Sequence, residues 1–214
     1  MKAQAQTPTK PSPRRRTQAE RSASTRQVVL DAAVSCLSRY GYGATTTMMV
    51  AAEAGVSRGA MLHQFPAKDD LMIYVVEAVF EEDVRLYADI LKDVTDPRER
   101  LLAYPDAAWT VLSRPAGIAV MEILQGSRSD PALAAKLAVL HDRIDAEARD
   151  RLTQEFPQGI STSLLQLVMA VVRGLSLTQL IGDGEEDVQG ALRLLKSMLR
   201  AGIDAHLFSS DRPG

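Results

Sequence analysis

Three features of the sequence predict an all-α protein of about nine helices. Apolar residues recur at spacings of three and four in the long segments, and no segment shows the alternation of a half-buried strand. Proline and glycine divide the chain into pieces of helical length, as at Asp96-Pro97 and Arg114-Pro115. Hydrophobic residues make up 46% of the 214 residues, which is enough to build a substantial core.

The overall charge of −2 hides a strong division along the chain. Residues 1–68 contain 10 Lys and Arg against 3 Asp and Glu, whereas residues 69–214 contain 15 against 24. The N-terminal part therefore attracts phosphate, and the remainder repels it.

Residues 1–24 are predicted to form a disordered basic arm. They are rich in proline and in basic and polar residues and contain almost no large apolar side chain. Arg14, Arg15 and Arg16 are its main feature. They are interpreted either as part of a solvated tail or as an arm that follows the DNA backbone or enters the minor groove.

Several classes of protein are excluded by what the sequence lacks. The single cysteine, Cys36, excludes an internal disulfide and a multi-cysteine zinc site and fits a reducing cytoplasm. No apolar stretch follows the basic N-terminus, and the apolar segment 164–181 is interrupted by polar residues, so we expect neither export nor a membrane span. Because no catalytic or phosphate-loop motif appears, we expect no enzyme, no metal and no cofactor.

The first predicted helix covers residues 25–40, where apolar residues fall on one face. These residues are Val29, Ala33, Cys36, Leu37 and Tyr40. We expect this helix to support the segment that follows it.

The segment 45–65 reads as helix, tight turn, helix. Threonines at 45–47 can cap the first helix, and Gly55 can adopt the positive φ that ends it. Ser57 caps the second helix, which opens with Arg58 and Gly59, an arrangement that suits the edge of a DNA major groove. Without context, the same pattern also fits a helical hairpin within a core.

A wider set of motifs supplies that context. In one register the chain contains Tyr40-Gly41-Tyr42, Ala44-Thr45-Thr46, the stretch from Ala51 to Gly59, Phe65 and Lys68. Through these motifs, residues 25–71 resemble the N-terminal domain of the tetracycline-repressor (TetR) family. The resemblance implies a helix-turn-helix DNA-binding domain, and beyond Leu71 it extends only to the all-helical layout.

The resemblance also implies a set of DNA contacts, in which the second helix of the motif reads bases and the surrounding residues contact phosphates. Arg58 is expected at a base edge or a nearby phosphate, and Leu62 and Gln64 lie on the same short helix. The predicted DNA-binding residues are Thr25, Arg26, Thr46, Ser57, Arg58, Gly59, Leu62, His63, Gln64 and Lys68.

A long amphipathic helix is predicted to start at Lys68, after the break at Pro66-Ala67, with Leu71, Val75 and Val79 on one side. It should link the two domains and act as a lever between them. Further helices are predicted at about 97–113, 115–126, 131–156, 161–181 and 186–207.

The last two predicted helices are more apolar than a single core face requires. Burial within one subunit accounts for part of this excess, and the resemblance implies that the rest forms a four-helix contact in a homodimer. The predicted dimerisation residues are Leu164, Val168, Val171, Leu175, Leu192, Leu195 and Leu199.

A small-molecule pocket is predicted among the middle helices, although ordinary core packing explains each residue taken singly. Arg173 is the least ordinary of the set, because it interrupts an apolar helix and needs solvent, Glu122 or an acidic ligand as its partner. The candidate ligand-binding residues are Tyr104, Trp109, Met121, Leu124, His141, Met169 and Arg173.

These observations predict a cytoplasmic, homodimeric transcriptional regulator that binds a palindromic operator in double-stranded DNA. We expect a repressor that a small-molecule effector releases, with the arm at 1–24, the DNA-binding domain at 25–68 and the ligand-binding and dimerisation domain at 69–214. The alternative is a helical scaffold that binds nucleic acid non-specifically or binds an acidic protein. Effector, operator sequence, regulated genes and the choice between repression and activation stay open.

Overall fold

The computed structural model describes residues 18–156, 161–179 and 185–208. Within these ranges the secondary structure consists of nine α-helices and one short 3-10 turn, as the sequence predicts. The helices are α1 (Gln18–Ala44), α2 (Thr47–Glu53), α3 (Arg58–Gln64), α4 (Lys68–Leu91), α5 (Pro97–Leu112), α6 (Pro115–Gly126), α7 (Pro131–Glu155), α8 (Thr162–Thr178) and α9 (Glu185–Asp204), with the 3-10 turn at Ser127–Ser129 between α6 and α7.

Helices α1 to α3 form the N-terminal head, and local capping fixes the turn between α2 and α3. Thr46 Oγ1 accepts a hydrogen bond from the backbone N–H of Met49 at 3.1 Å, and Ser57 Oγ accepts one from Ala60 at 3.2 Å. Gly55 has φ +65°, so it ends α2 in the left-handed region that glycine favours. The predicted helix-turn-helix is confirmed.

Helix α1 differs from its prediction at both ends. It begins at Gln18, so the expectation of disorder up to Ser24 is wrong for residues 18–24, while residues 1–17 lie outside the described part of the chain. At the other end Gly41 takes φ 75° and ψ 171° and breaks the helix. This break leaves Tyr40, predicted on the buried face, 48% exposed, and buries Tyr42 instead.

Two hydrophobic cores share α4. In the first core, the head packs against the first half of α4 and against α6 and the start of α7, through residues such as Met61, Val75 and Ile123. In the second core, the end of α4 packs with α5, α8 and α9 around residues such as Leu91 and Val168. The head's core therefore continues beyond residue 68 into the body, and α4 belongs to both cores.

The breaks between the body helices lie where proline predicts them. Asp96 caps α5 by accepting the Glu99 N–H at 2.9 Å, and Asp130 caps α7 by accepting the Leu133 N–H at 3.1 Å. Helix α9 ends at Asp204, three residues before the predicted end at Leu207. The predicted breaks at 157–159 and 182–184 lie outside the described residues. No single helix in the described part of the chain is long and apolar enough to span a membrane; α5 and α6 with its 3-10 extension reach that length only as a pair bent by 80°.

Candidate nucleic-acid interface

The exposed face of α3 is the surface that the head offers to a partner. Met61 faces inward and is buried, whereas Arg58, Gly59, Leu62 and His63 are exposed. The buried face of α3 therefore packs against the rest of the protein, and its polar, glycine-containing face is exposed to solvent.

Arg58 differs from the other cations of the head. Among the described side chains of residues 24–68, Arg26 lies over the Tyr74 ring at 5.6 Å, Arg39 pairs with Glu53 at 3.5 Å, and Lys68 bonds to the Tyr42 carbonyl. Within that same described stretch, Arg58 makes no ion pair, hydrogen bond or ring contact. Its guanidinium is thus available for the bidentate contacts that guanine or phosphate accepts.

Gly59 leaves space beside Arg58. A Cβ built on Gly59 would meet no heavy atom of the protein within 4 Å, so internal packing does not require glycine there. The absence of a side chain on the exposed start of α3 instead lets a bulky partner approach the backbone. This agrees with the predicted DNA contact at this position.

The other predicted DNA-binding residues occupy three different environments. Leu62 is exposed on α3, and Thr46 is exposed at the start of α2. Thr25 is half-buried, and Ser57 is exposed while its hydroxyl serves as the cap of α3. Gln64 is half-buried, and its Oε1 atom is buried without a hydrogen-bond partner among the described residues. The geometry therefore favours the start of α3 as the reading surface over its end at Gln64.

Lys68 is engaged within the protein, although the sequence predicts a phosphate contact. Its Nζ donates to the carbonyl oxygen of Tyr42 at 2.7 Å and lies 3.8 Å from the centre of the Tyr42 ring. Burial lowers the pKa of Lys68, and the nearby Asp130 charge opposes that effect. This engagement separates Lys68 from the exposed candidates for phosphate binding.

Three of the predicted ligand-binding residues meet in the second core. The Tyr104 ring stacks on Tyr87 with centroids 5.5 Å apart, and the Tyr87 hydroxyl donates to Met169 Sδ at 3.6 Å. Trp109 packs against the same core. Burial raises the pKa of Tyr104 to about 12. The aromatic rings and the Met169 thioether therefore form a cluster whose ring stacking and side-chain hydrogen bond join its own members.

The other four predicted ligand residues do not join this cluster. Leu124 is exposed on α6, and His141 is exposed on α7, where its Nε2 lies 3.5 Å from Asp145. Met121 is half-buried on α6, and Arg173 is exposed on α8. The prediction of one shared pocket fails for Leu124 and His141 because both lie on outward helix faces.

Arg173 interacts electrostatically with a different carboxylate from Glu122, the partner that the sequence predicts. Glu122 is occupied by the Tyr42 backbone, whereas Arg173 acts electrostatically on Asp83 of α4. Asp83 pairs with Arg114 at 2.5 Å, and Arg114 also reaches Glu82 at 3.1 Å. Burial raises the pKa of Asp83 to about 6 in spite of these two arginines.

Two surface grooves lie away from the predicted pocket. One, of about 440 Å³ between α1 and α4, is lined by polar residues that include Asp31, Glu81 and Glu82. The other, of about 510 Å³ between α4 and α7, includes Lys136 and Arg143. Neither groove contains any of the seven predicted ligand residues.

Most of the predicted dimerisation residues are buried inside the single chain. Val171 and Leu175 are only half-buried against the second core, whereas the other five are buried within it. These five are Leu164, Val168, Leu192, Leu195 and Leu199. The sequence therefore identified the two apolar helices but assigned the core-facing residues to their outer surface.

The outer faces of α8 and α9 carry other apolar residues. Leu167 is 57% exposed on α8, while Leu194 and Met198 are 63% and 62% exposed on α9. Leu194 and Met198 are four residues apart, so they share one helix face.

Comparison with known proteins agrees with the helix-turn-helix geometry. Residues 29–75 match the family model for bacterial regulatory proteins of the tetR family. The HTH-type transcriptional regulator CymR of Pseudomonas putida is 32% identical over 177 residues, which cover 79% of this chain and 86% of that protein. The chain belongs to the TetR family. It is a helix-turn-helix transcriptional regulator and not an enzyme.

Two further proteins are similar to most of the chain. The HTH-type transcriptional repressor Rv1474c of Mycobacterium tuberculosis is 26% identical over 189 residues, 83% of this chain and 94% of that protein. The crystal structure of the multidrug binding protein EbrR, complexed with imidazole, aligns with a TM-score of 0.56 at 23% identity and covers 81% of this chain and 93% of that one. The similarity to EbrR shows a shared fold over 81% of this chain, which extends beyond the head.

Sequence reasoning missed the residues that join the head to the body. Tyr42 entered only as part of a motif, and Glu122 only as a candidate partner for Arg173. Asp130 was not singled out, although a helix is predicted to start directly after it. The sequence contained one local signal for Tyr42. Gly41, directly before it, indicates a turn of the backbone, and such a turn changes the direction of the Tyr42 side chain. No linear pattern pairs Tyr42 with Asp130, which lies 88 residues away.

Proposed function

We propose that this TetR-family regulator is a homodimeric repressor that binds a palindromic operator through the start of α3. The observation that carries the proposal is Arg58, the cation without an intramolecular partner in the described head, on an exposed face beside Gly59. A free guanidinium next to open backbone suits a major groove, where arginine commonly reads guanine. Thr46 and His63 flank this face and are proposed to contact phosphates.

Dimerisation through the outer faces of α8 and α9 supports the proposal of two reading heads. Leu167, Leu194 and Met198 are more than half exposed in the single chain. Exposed apolar residues grouped on one pair of helices indicate a contact surface. A two-fold axis through that surface would present two copies of α3 to successive major grooves of one palindrome.

Release by a small molecule is proposed from the position of α4. This helix contributes to both hydrophobic cores, so a change in the packing of the second core alters the helix that also holds the head. A ligand that binds one arrangement more tightly shifts the population toward it. Rv1474c, a repressor, and EbrR, a multidrug binding protein, support repression and ligand binding as the functions to test.

The proposal is tested by selecting bound fragments from random double-stranded DNA with the purified protein. We expect one inverted repeat to be enriched, and its affinity to exceed that of unrelated duplex by about 10³-fold or more at physiological salt. Equal binding to all duplexes, with a steep salt dependence, would instead identify the non-specific scaffold.

A further inference from the structure

Tyr42 lies at the corner between α1 and α2, where Gly41 redirects the chain with φ +75°. The Tyr42 ring is buried and packs against Gly126 at the end of α6. A Cβ built on Gly126 would lie 2.2 Å from the Tyr42 ring, so only glycine fits beneath it. The end of α6 thus forms a socket for an aromatic side chain of the head.

Every polar group of Tyr42 is held by a different part of the body. Its hydroxyl donates to Asp130 Oδ2 at 2.7 Å, and its backbone N–H donates to Glu122 Oε2 at 2.9 Å. Its carbonyl accepts from Lys68 Nζ at 2.7 Å, and that ammonium lies 3.8 Å from the ring centre. Tyr42 is therefore tied to α6, to the start of α7 and to the start of α4.

The surrounding residues connect these three elements to one another. Asp130 caps α7 while it accepts from Tyr42. Lys136 of α7 bonds to Asp69 at 2.8 Å and also to Asp70 at the start of α4. Glu122 lies so close to Gly41 that a Cβ there would approach its Oε2 to 2.9 Å. The contact fixes the position of Tyr42 and the direction in which the chain continues from the kink at Gly41 toward α2.

Such a contact has two properties of a joint. It is small, because it depends on one ring and a few hydrogen bonds. It is also directional, because hydrogen bonds weaken steeply when their angle changes. The apolar core alone could tolerate a small rotation of the head, since dispersion contacts have little directional preference, but these bonds could not.

We propose that the Tyr42 socket is the joint that sets the orientation of each reading head on the body, with Tyr42, Glu122, Asp130 and Lys68 as positioning residues for operator binding. The inference rests on the proposed function, because orientation matters only where two heads must meet two half-sites. It assigns part of the communication between body and head to α6 and α7, in addition to α4. Lys68 contributes by holding Tyr42.

The primary experiment compares Tyr42→Phe with Tyr40→Phe on the selected palindrome and on DNA with one half-site. Tyr42→Phe removes only the hydroxyl that reaches Asp130, and Tyr40 is an exposed tyrosine of the same corner. The acceptor is the Asp130 carboxylate, and a hydrogen bond to a charged group corresponds to about ten- to a hundredfold in an equilibrium constant, so we expect a palindrome loss of up to that size. Half-site binding should stay unchanged, and Tyr40→Phe should behave as wild type on both DNAs.

A second set of variants identifies the partner. Asp130→Ser retains a capping oxygen for α7 but is too short to reach the Tyr42 hydroxyl. It should reproduce the loss seen in Tyr42→Phe, and the double variant should be no weaker than either single one. Gly126→Ala disturbs the socket from the other side, and should weaken palindrome binding while it leaves half-site binding intact.

A structural readout separates orientation from simple stability. Ala52 is exposed on α2, and a spin label on Ala52→Cys reports the distance between the two heads of a dimer. Cys36 is buried, and burial raises the pKa of its thiol, so labelling is confined to the introduced cysteine. We expect a broader distance distribution in Tyr42→Phe than in Tyr40→Phe.

The outcomes distinguish the two levels of the proposal. If wild type does not prefer the palindrome to a half-site, the proposed function fails. If wild type prefers it, and Tyr42→Phe keeps both the preference and the distance distribution, the joint is refuted while the function stands. Equal losses on palindrome and half-site would place Tyr42 inside the head's own fold and would likewise overturn the joint.

Discussion

At the residue scale, Arg58 carries the argument for DNA recognition because its guanidinium is exposed and makes no contact within the described head. Replacing Arg58 with alanine should lower the affinity for the selected operator by about 1 to 3 kcal/mol, since a good bidentate contact discriminates between bases by that amount. Fluorescence anisotropy on the operator and on a scrambled duplex measures the change.

The matched control for Arg58 is Arg98→Ala. Arg98 is also exposed, but it lies on α5 and pairs with Asp204 of α9. Its replacement removes the same charge from the protein, so a general electrostatic effect would appear in both variants. Unchanged operator affinity in Arg58→Ala, at equal folding, would remove α3 as the reading helix.

A second residue-scale prediction concerns Asp83 of α4. It is faced by Arg114, Glu82 and Arg173, and burial raises its pKa from 3.8 to about 6. The folded protein then binds this proton more tightly than the unfolded chain, so the contribution of Asp83 to stability falls as pH rises from about 4 to about 6. Asp83→Asn cannot titrate and lacks this fall.

The test for Asp83 is urea unfolding of wild type and Asp83→Asn at pH 4.5 and 7.5. The stability of the variant relative to wild type should rise by about 2 kcal/mol between these pH values, because other titrating groups cancel in the difference. A relative stability of Asp83→Asn that does not change with pH would contradict the assignment.

The sequence predicted local residue roles well and long-range roles poorly. Thr46, Gly55 and Ser57 were identified correctly because a cap or a turn depends on neighbours within a few positions. Lys68 was assigned to phosphate, but its partner is Tyr42, which lies 26 residues away and is brought to it by the fold. A lysine at the start of a helix looks the same in the sequence whether its ammonium contacts a DNA phosphate or a backbone carbonyl of the protein.

At the element scale, the helices were predictable but the direction of their faces was not. Apolar residues lie on more than one face of α8 and of α9, so periodicity alone does not show which of these residues meet the core. The structure buries Leu192 and Leu195 in the second core and leaves Leu194 and Met198 exposed. Only packing against the rest of the chain decides between these two faces.

The dimer surface is tested by Met198→Asp. Because Met198 is 62% exposed, the single chain should keep its stability within about 0.5 kcal/mol, as exposed substitutions usually do. An unpaired charge within the contact should nevertheless raise the dimer dissociation constant by about tenfold or more. Sedimentation velocity over a concentration series gives this constant.

Two further variants serve as controls for Met198→Asp. Val139→Asp places the same charge on α7 at a residue that is 73% exposed, and it should leave the dimer unaffected. Leu195→Asp, in contrast, places a charge at a residue that is only 8% exposed, so it should unfold the second core. A folded Met198→Asp dimer as tight as wild type would show that α9 does not form the contact.

At the scale of the whole molecule, the head and the body are connected through two hydrophobic cores that share α4. The head shares its core with α6 and α7, and α4 passes from that core into the second one. In the proposed dimer, the two heads are therefore expected to be held at a defined separation rather than tethered by flexible linkers. That geometry predicts how binding depends on the spacing of half-sites.

The final prediction is that the selected operator tolerates no change in the spacing of its half-sites. Inserting about 5 base pairs rotates one half-site by about half a turn, and inserting about 10 restores the rotation but adds roughly 34 Å of separation. A rigid dimer can bridge neither, so both insertions should reduce affinity to that of a single half-site and abolish the gain in effective concentration.

Heads on flexible connections would recover most of their affinity with the longer insertion, because rotation would again match and the connection would extend. Anisotropy titrations of the three DNAs, with Met198→Asp as the monomer reference, distinguish these cases: binding of the longer insertion as tightly as the native spacing would show that the body does not fix the distance between the heads.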